Sequence, residues 1–567
     1  MNYKYINFLF FIFFISLLSG SNIPLDSLLK ERKINKEHAE LYSMIFTQDN
    51  EGRIKPFNTF SSEILRKIAR KDKLFNQNSD QIVIGMMLDP LLWQMIPIIK
   101  VADKEVLSLI NQQSDYVSFI SFFSDKNKYI LTPYIETAYS KRPIDRTKFD
   151  KKIIEVDERV NICSMIFSDD LIRIFPGKLS IDEPWRSDVA MSIPGVDSLK
   201  TNSFKVIYRD LVYSSFSDGN WDSSNSIISF INNYQNEYAA SILPPLIKVK
   251  LEILYNKLKP FGWTRLFLFY FLVGFLLLFF LLFEIFHNSN TLINKFSYLS
   301  RYLIYIGFLF HLFSLVLRWY ISGHAPWSNA YESVIFIAFA TMLAGILFSK
   351  KTNFTLVASS IVSAMLLFVA NLNWLNPEIT NLVPVLKSYW LMIHVSVITS
   401  SYGFFGLCAF LGLLNLLLII TNHTKKIESN VSNLTIINEQ SMMIGLFLLT
   451  IGTFLGGVWA NESWGRYWGW DPKETWALVS CLVYALILHV RLLRTKKYMY
   501  FFNVLSLFGF SSILMTYFGV NYYLDGLHSY AAGDSFPIPD FVLPVLIIFL
   551  LISIISYFRF NKWIKYL

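Results

Sequence analysis

Tryptophans and glycines are concentrated in one short stretch of the chain, residues 459–476. Five tryptophans and a tyrosine fall within these eighteen residues: Trp459, Trp464, Tyr467, Trp468, Trp470 and Trp476. Aromatic side chains can line a site for a flat ligand, and Gly465 and Gly469 would let such a ligand approach the backbone closely. An aromatic belt at a membrane interface is the alternative interpretation, although a belt does not need glycines between its rings. The stretch is therefore the first candidate for a ligand site.

The second half of this stretch also carries the residues that start a helix. Asp471 is a good N-cap, Pro472 suits the first helical position, and Glu474 stands at the third position, as in a capping box. Asp471 can therefore serve the helix, a ligand, or both.

The composition is that of a membrane protein with a sizeable polar part. Of 567 residues, 53% are hydrophobic and 17% aromatic, and the mean hydropathy is +0.40. We predict a polytopic α-helical membrane protein with about nine C-terminal spans, an N-terminal signal peptide or anchor, and an extracytoplasmic mixed α/β domain. The predicted spans are 263–286, 300–320, 333–349, 354–372, 388–420, 441–458, 477–493, 500–520 and 541–558.

Charge and cysteine content exclude two further classes of protein. The net charge is +9, but no basic stripe occurs away from the predicted membrane flanks, which argues against nucleic acid as a partner. The three cysteines are far apart and form no C-x-x-C motif. The chain therefore carries neither a dithiol redox centre nor an attachment site for a c-type haem of its own.

Lysine and arginine residues set the predicted orientation. The alternate loops that include the Trp-rich stretch hold Lys387, Arg466 and Lys473. The other set is rich in basic residues: Lys295, Arg301, Lys350, Lys351, Lys425, Lys426, Arg491, Arg494, Lys496, Lys497, Arg559, Lys562 and Lys565. Because basic loops stay in the cytoplasm, the Trp-rich stretch and the N-terminal domain are predicted to face outside.

Two of the eight histidines fall on the same predicted side as the Trp-rich stretch. His394 lies one or two turns inside the outer end of the fifth span, and His528 lies in the outer loop before the last span. Two imidazoles there suit bis-histidine ligation of a haem iron. Taken singly, His394 could be a core histidine and His528 an ordinary loop residue. His38, His287 and His423 stand in polar surroundings and are expected to be solvated.

The run from Trp464 to Glu474, W-G-R-Y-W-G-W-D-P-K-E, resembles the WWD signature of haem-handling proteins in cytochrome c biogenesis. It is most similar to the CcsA/ResC family, the membrane half of the System II cytochrome c haem lyase. The resemblance covers about residues 300 to 567. It implies that His394 and His528, the latter within G-L-H-S-Y, are the axial ligands of an outer haem. It implies a haem-binding loop that contains Trp459, Trp464, Arg466, Tyr467, Trp468, Trp470, Asp471 and Trp476. Arg466 or Lys473 would meet a propionate, although a solvated residue at the helix start is an equal alternative for Lys473.

His489 is the candidate for an inner site. It stands thirteen residues past Trp476, ~20 Å below the outer surface of a helix with a rise of ~1.5 Å per residue. An ionisable group at that depth is costly and is a functional candidate; a position near the inner interface, close to Arg494, is the alternative. The resemblance implies that His489 is an inner haem ligand. The family's second inner ligand lies in a CcsB span that this sequence does not show, and His311 is a possible substitute.

The segment around His324 resembles the family element G-H-x-P-x-S-N-x-Y-E. It lies in the first outer loop of the CcsA-like part. We expect His324, Pro326 and Glu332 to support this loop around the haem and not to bind iron.

The predicted organisation has four parts. Residues 1–20 are a signal peptide or signal anchor, and 21–260 form an extracytoplasmic CcsB-like domain. Residues 261–298 are a linking transmembrane helix and cytoplasmic loop, and 299–567 are the CcsA-like haem-handling domain with the WWD loop 459–476. The weaker CcsB resemblance rests on Gly52–Thr59, Tyr234-Gln235, Pro244-Pro245 and Lys250–Asn256. An unrelated extracytoplasmic domain is the alternative.

The resemblance implies a function in cytochrome c biogenesis. Haem b would be presented at the outer face and attached to the C-x-x-C-H thiols of apocytochrome c by part of a haem lyase of the holocytochrome c synthase type. The implied partners are a CcsB/ResB-like membrane protein, apocytochrome c and a thiol-reducing thioredoxin-like protein. The implied location is the bacterial inner membrane, with the WWD loop and the N-terminal domain in the periplasm. The alternatives are a haem exporter that serves a separate lyase and a structural or transport subunit without haem.

Overall fold

A computed structural model describes most of the chain. The described residues are 25–142, 145–178, 183–191, 202–287, 291–372, 375–382, 387–421, 423–493, 497–524, 526 and 541–564. The predicted signal segment 1–20 lies outside them. The chain divides into two compact units, of which the first ends at Lys257 and the second begins at Leu258.

The first unit is mainly helical, with short strands paired in antiparallel twos. Its helices are α1 (Leu25–Glu31), α2 (Lys36–Tyr42), α3 (Phe57–Ala69), α4 (Ser79–Leu88), α5 (Pro90–Met95), α6 (Lys104–Leu109), α7 (Thr132–Ser140), α8 (Lys148–Phe167), α9 (Phe204–Asp218), α10 (Asp222–Ala239) and α11 (Leu246–Leu258), the last of which reaches the unit boundary, and Phe119–Phe122 forms a 3-10 turn. The strands pair as β1 (Phe46–Gln48) with β2 (Ile54–Pro56), β3 (Lys73–Leu74) with β4 (Gln77–Asn78), β5 (Ile99–Lys100) with β6 (Tyr116–Val117), and β7 (Ala190–Met191) with β8 (Asn202–Ser203).

Two of the segments that resemble CcsB meet in this unit, although almost two hundred residues separate them. Arg53 and Glu252 form an ion pair with an N–O distance of 2.7 Å, and both side chains are buried. The Thr59 hydroxyl donates to the same Glu252 oxygen at 2.8 Å and accepts from the Asn256 amide at 2.9 Å. These bonds hold α11 against β2 and α3.

His38 is buried, so the expectation that it is solvated is wrong. Its Nδ1 lies 2.8 Å from Asn225 Oδ1, and its Nε2 lies 2.7 Å from the Tyr208 hydroxyl. Asn35 caps the short helix α2 and thereby fixes which of its side chains, including His38, face the core. Burial lowers the pKa of His38, because the charged imidazolium loses its hydration.

The second unit is a helical bundle. It consists of α12 (Leu268–Phe286), α13 (Thr291–Ser322), α14 (Ala330–Phe348), α15 (Phe354–Ala370), α16 (Tyr389–Ile420), α17 (Lys425–Trp464), α18 (Pro472–His489), α19 (Tyr498–Leu514), α20 (Val520–Tyr523) and α21 (Val542–Trp563). One π-helical turn, Trp263–Phe267, precedes α12, a second, Met515–Gly519, joins α19 to α20, and Val490–Leu493 is a 3-10 turn.

Among the described residues, eight helical segments are long and apolar enough to cross a membrane. They are Trp263–Phe286, Thr291–Ser322, Ala330–Phe348, Tyr389–Ile420, Lys425–Trp464, Pro472–Leu492, Tyr498–Tyr523 and Val542–Trp563. The predicted fourth span corresponds to α15, an apolar helix of 17 residues, which is at the short end of spanning lengths. The prediction of a polytopic helical membrane protein with an N-terminal mixed domain is therefore confirmed.

Helices α16 and α17 are much longer than a bilayer requires. They have 32 and 40 residues, which corresponds to ~48 and ~60 Å, against a hydrocarbon core of ~30 Å. Helix α17 begins at Lys425, sixteen residues before the predicted segment 441–458. Its added part is amphipathic, with buried side chains at Ile427, Val431, Leu434 and Ile437, and a search for unbroken apolar runs misses such a pattern.

Polar side chains join three of these helices inside the bundle. The Asn415 amide of α16 donates to Asn503 Oδ1 of α19 at 2.9 Å, and the Asn503 amide donates to the Thr435 hydroxyl of α17 at 2.8 Å. All three side chains are fully buried. We call Asn415, Thr435 and Asn503 the asparagine cluster. This cluster joins α16, α17 and α19 near the end of α16 that is distant from His394.

Candidate functional site

The bundle contains a partly open cavity of about 520 Å³, which is within the ~300–1,000 Å³ of typical ligand pockets. It is lined by helices α14, α16, α17 and α18 and by the π turn Met515–Gly519. The segments 324–329 and 380–382 complete the lining together with residues of the Trp-rich stretch and α20. Its lining includes His324, Trp327, Ser328, Thr380, Asn381, Met392, His394, Tyr402, Gly456, Trp459, Tyr467, Trp468, Lys473, Thr516, Tyr517 and Asn521. The surface is thus mainly apolar and aromatic, with a few polar groups.

The Trp-rich stretch is a helix end, a short connection and a helix start. Helix α17 continues through Trp464, and Gly465 ends it in the left-handed conformation, with a φ of 71°. Helix α18 begins at Pro472, and Asp471 and Glu474 form the capping box that the sequence predicts. The seven residues 465–471 are thus the non-helical part.

Gly469 has a structural reason that differs from the one expected. Its N–H donates to Glu474 Oε2 at 2.7 Å, and the Arg466 guanidinium lies directly over it. A Cβ added at Gly469 would overlap Nη1 of Arg466. The Arg466 guanidinium thus occupies the space beside Gly469 that a close-lying ligand would need.

The aromatic residues of the stretch divide into two groups. Trp459, Tyr467 and Trp468 line the cavity that the described residues enclose, whereas Trp464, Trp470 and Trp476 are outside its lining. Trp464 packs edge-on against Trp459, with 4.8 Å between ring centroids, and Trp470 packs edge-on against Trp468 at 5.7 Å. These two rings therefore support lining residues.

Trp470 has a strained backbone. Its φ is 58°, a conformation that is unusual for a bulky residue, and its side chain is 69% exposed. Strain of this kind costs about 1–3 kcal/mol and is commonly found at functional sites. The neighbouring Asp471 is buried as the N-cap and is outside the cavity lining.

His394 projects into the cavity from the second turn of α16. Its Nδ1 donates to the Gly452 carbonyl oxygen of α17, with a distance of 2.6 Å. In the neutral ring, this bond places the lone pair on Nε2. Histidines that bind metals are typically held in this way, by a bond from the second ring nitrogen to a carbonyl or carboxylate.

Two glycines allow this close approach, and the sequence reasoning missed both. A Cβ at Gly456 would lie 2.7 Å from His394 Cε1, and one at Gly452 would lie 3.0 Å from the Cβ of Ile398. Gly452 and Gly456 form a G-x-x-x-G pattern, which brings membrane helices into close contact. That pattern was the available signal.

The segment around His324 forms another part of the cavity wall. His324 lines the cavity, but its Nδ1 faces the Ala325 carbonyl oxygen at 3.2 Å and its Nε2 faces that of Thr380 at 3.1 Å. The ring therefore joins two loop segments. Glu332 is buried in an ion pair with Arg318 outside the cavity lining, and Pro326 is also outside it.

Lys473 and Arg466 have different surroundings. Lys473 lines the cavity, and its Nζ donates to Asn521 Oδ1 at 2.8 Å. Arg466 contacts Glu474 at 3.4 Å and lies 5.7 Å from the Trp464 ring centroid, outside the cavity lining. Of these two cations, Lys473 is the one that faces the cavity.

The π turn Met515–Gly519 adds two lining residues that the sequence did not indicate. The Thr516 hydroxyl donates to the Trp476 carbonyl oxygen at 3.1 Å, and the Tyr517 hydroxyl donates to that of Ala330 at 3.1 Å. Such turns occur often at functional sites, because the extra residue changes the direction of the following side chains.

Two further predicted ligands, His489 and His311, are outside the cavity lining. His489 is the last residue of α18 and is exposed, with Nδ1 at 2.7 Å from the Ala485 carbonyl oxygen. His311 is fully buried, and its Nε2 faces the Ile335 carbonyl oxygen at 3.1 Å. His489 is thus at the surface of the bundle, whereas His311 is inside it. His528 is outside the described residues; Gly526, two positions before it, packs against Asp471.

Comparison with known proteins identifies the family. Residues 327–528 match the family model described as Cytochrome C assembly protein. The cytochrome c biogenesis protein CcsA of Prochlorococcus marinus subsp. pastoris is 34% identical over 293 residues, which are 46% of this chain and 91% of that protein. The chain belongs to the CcsA family of cytochrome c biogenesis proteins. CcsA of Chlamydomonas reinhardtii is 36% identical over 260 residues, covering 43% of this chain and 71% of that protein.

A longer relative extends the similarity into the first unit. Protein NrfI of Wolinella succinogenes is 42% identical over 530 residues, which are 92% of this chain. The chain spans 58% of the length of NrfI. Among solved structures, Cytochrome c Heme Lyase CcmF matches 52% of this chain and 51% of that chain at 16% identity, with a TM-score of 0.33, which is too low to support a comparison of sites. This chain is thus a multi-pass membrane protein of cytochrome c biogenesis, a family that handles haem.

Proposed function

We propose that this protein holds haem b in the cavity beside the Trp-rich stretch and presents it for attachment to apocytochrome c. The observation that supports this most strongly is His394. Its Nδ1 is bonded to Gly452, its Nε2 carries the lone pair in the neutral ring, and it stands in an apolar cavity lined by Trp459 and Trp468. His528 would supply the second axial ligand.

The remaining cavity residues would orient the haem substrate. The faces of Trp468 and Tyr467 offer stacking surfaces for the macrocycle, whereas Trp459 is fully buried. Lys473 would meet a propionate, because it is the cation in the lining, whereas Arg466 would keep the connection 465–471 folded. His324 would hold its part of the cavity wall through its two carbonyl contacts.

The reaction would be the addition of two cysteine thiols to the two vinyl groups of haem. Each sulfur forms a bond to one vinyl carbon and the thiol hydrogen goes to the other, so that no external oxidant is required. The thiols of the C-x-x-C-H motif must be reduced, which is the part of a thioredoxin-like partner. The protein would supply position and orientation.

The protein would lie in the bacterial inner membrane, and the distribution of basic residues favours an orientation with the cavity on the periplasmic side. A CcsB/ResB-like membrane protein would complete the complex. His489, exposed at the end of α18, would be one ligand of an inner haem site, and such a partner would supply the second ligand.

The test is maturation of a reporter cytochrome in a host that lacks its own maturation system. The chain, a CcsB-like protein and a C-x-x-C-H reporter are co-expressed, and covalent haem is stained after denaturing electrophoresis. We expect stained reporter, and none when both reporter cysteines are replaced by alanine. Purified complex that contains haem but never attaches it would indicate an exporter, and complex without haem would contradict the proposal.

A further inference from the structure

One buried arginine joins three segments of the second unit. Arg318 lies one turn before the end of α13, and its Nε contacts Glu332 Oε1 of α14 at 2.8 Å. Its Nη1 donates to the Pro377 carbonyl oxygen and its Nη2 to the Glu378 carbonyl oxygen, each at 3.1 Å. The side chains of Arg318 and Glu332 are 1% and 0% exposed.

The geometry of these contacts requires a guanidinium. Its planar fork directs donors to three acceptors on two sides, which a lysine ammonium cannot do from the same position. A buried ion pair adds little net stability, because desolvation offsets the attraction, and charges inside a membrane protein are typically functional. The pair therefore calls for an explanation beyond the stability of the bundle.

Both partners of this ion pair are bonded to segments that contain cavity-lining residues. The second oxygen of Glu332 accepts the N–H of Ser328 at 3.0 Å, and Ser328 lines the cavity. On the other side, Glu378 stands two residues before Thr380, which lines the cavity and whose carbonyl oxygen faces His324. Arg318 thus fixes the two loop segments that His324 also joins.

The same wall is bonded to the helix that carries His394. Trp327, next to Ser328, donates from Nε1 to the Met392 carbonyl oxygen at 3.1 Å. Met392 lies two residues before His394 in the first turn of α16. A displacement of the segment 327–328 would therefore move both the cavity wall and the start of this helix.

We propose that Arg318 is a positioning residue for the haem site: through Glu332 and the segment 377–380, it fixes the part of the cavity wall that contains Ser328 and Thr380. Arg318 is outside the cavity lining and would touch neither substrate nor iron. The inference rests on the proposed function, since it assigns Arg318 to the same cavity. A positioning role differs from a purely structural one, because Arg318 then governs haem affinity and the haem absorption spectrum, and not only the amount of folded protein.

The test compares two sets of substitutions in the complex of the chain with its CcsB-like partner. Arg318→Lys keeps the charge and loses the fork. The double variant Arg318→Met, Glu332→Met removes both charges together, so that neither is left buried alone. Asn503→Ala is the matched control, because it disturbs the asparagine cluster, a buried polar network far along the bundle from the cavity.

The readouts are haem per folded protein, haem affinity and the absorption spectrum. We expect both Arg318 variants to lower haem affinity about tenfold, as loss of an outer-shell partner typically does, with a shifted spectrum. Asn503→Ala should reduce the yield of folded protein at unchanged haem per protein. Arg318 variants that behave like Asn503→Ala would overturn the inference. His394→Ala with unchanged haem would instead overturn the proposed function, so that the two failures are distinguishable.

Discussion

Replacement of His394 by alanine is expected to lower cytochrome c maturation by more than about 100-fold. The loss should exceed the ~10–100-fold that outer-shell changes cause, because the iron then lacks an axial ligand. His528→Ala should have the same effect. Imidazole added to the medium should partly restore maturation in both variants by filling the vacant coordination position. Haem-stained reporter cytochrome, with and without imidazole, is the measurement.

Two glycines of α17 provide a matched pair of controls for this prediction. A Cβ at Gly456 would lie 2.7 Å from His394 Cε1, whereas one at Gly445 would lie 2.9 Å from Cε1 of Phe405, about three turns away. Gly456→Ala should therefore impair maturation, since it displaces the imidazole. Gly445→Ala should affect the stability of the helix pair without this specific loss. Normal maturation in both His394→Ala and His528→Ala would refute the assignment of the outer ligands.

The second large effect is expected at His489. We predict that His489→Ala depletes haem from the complex of the chain with a CcsB-like partner, because the exposed imidazole completes an inner site with a histidine of that partner. His311→Ala should leave haem content nearly unchanged, since its ring is enclosed and faces the Ile335 carbonyl oxygen. Haem content of the co-purified complex, by absorption, is the measurement.

The partner hypothesis has a direct counter-test. The chain is expressed alone in a host without any CcsB-like protein. If it then loads haem and matures cytochrome c, the second inner ligand does not come from a partner. A loss of haem in His311→Ala would assign that ligand to His311 instead.

The sequence predicts the elements that depend on local chemistry. Unbroken apolar runs located the membrane helices, and the order Asp471, Pro472, Glu474 predicted the start of α18 correctly. These features are visible because hydrophobic length and N-capping act within one segment. The start of α17 at Lys425 was missed because its first turns are amphipathic and pack on other helices.

Contacts between segments that are far apart in the chain could not be predicted from the sequence. The bond from His394 to Gly452 joins two helices, and the glycine pattern that permits it has no aromatic or charged residue to draw notice. The partners of Arg318 come from α14 and the segment 377–378, and they become evident only when these segments are packed against α13. The covering of Gly469 by Arg466 likewise depends on the three-dimensional path of the connection.

The central claim is that His394 binds the iron of haem in this cavity, and a ligand exchange tests it most directly. His394→Met replaces the imidazole by a thioether, which binds haem iron and raises its reduction potential. Absorption and electron paramagnetic resonance spectra of the purified complex should show haem that is retained, with the signature of one changed axial ligand and a higher potential. Spectra and potential identical to those of the unchanged protein would contradict the claim.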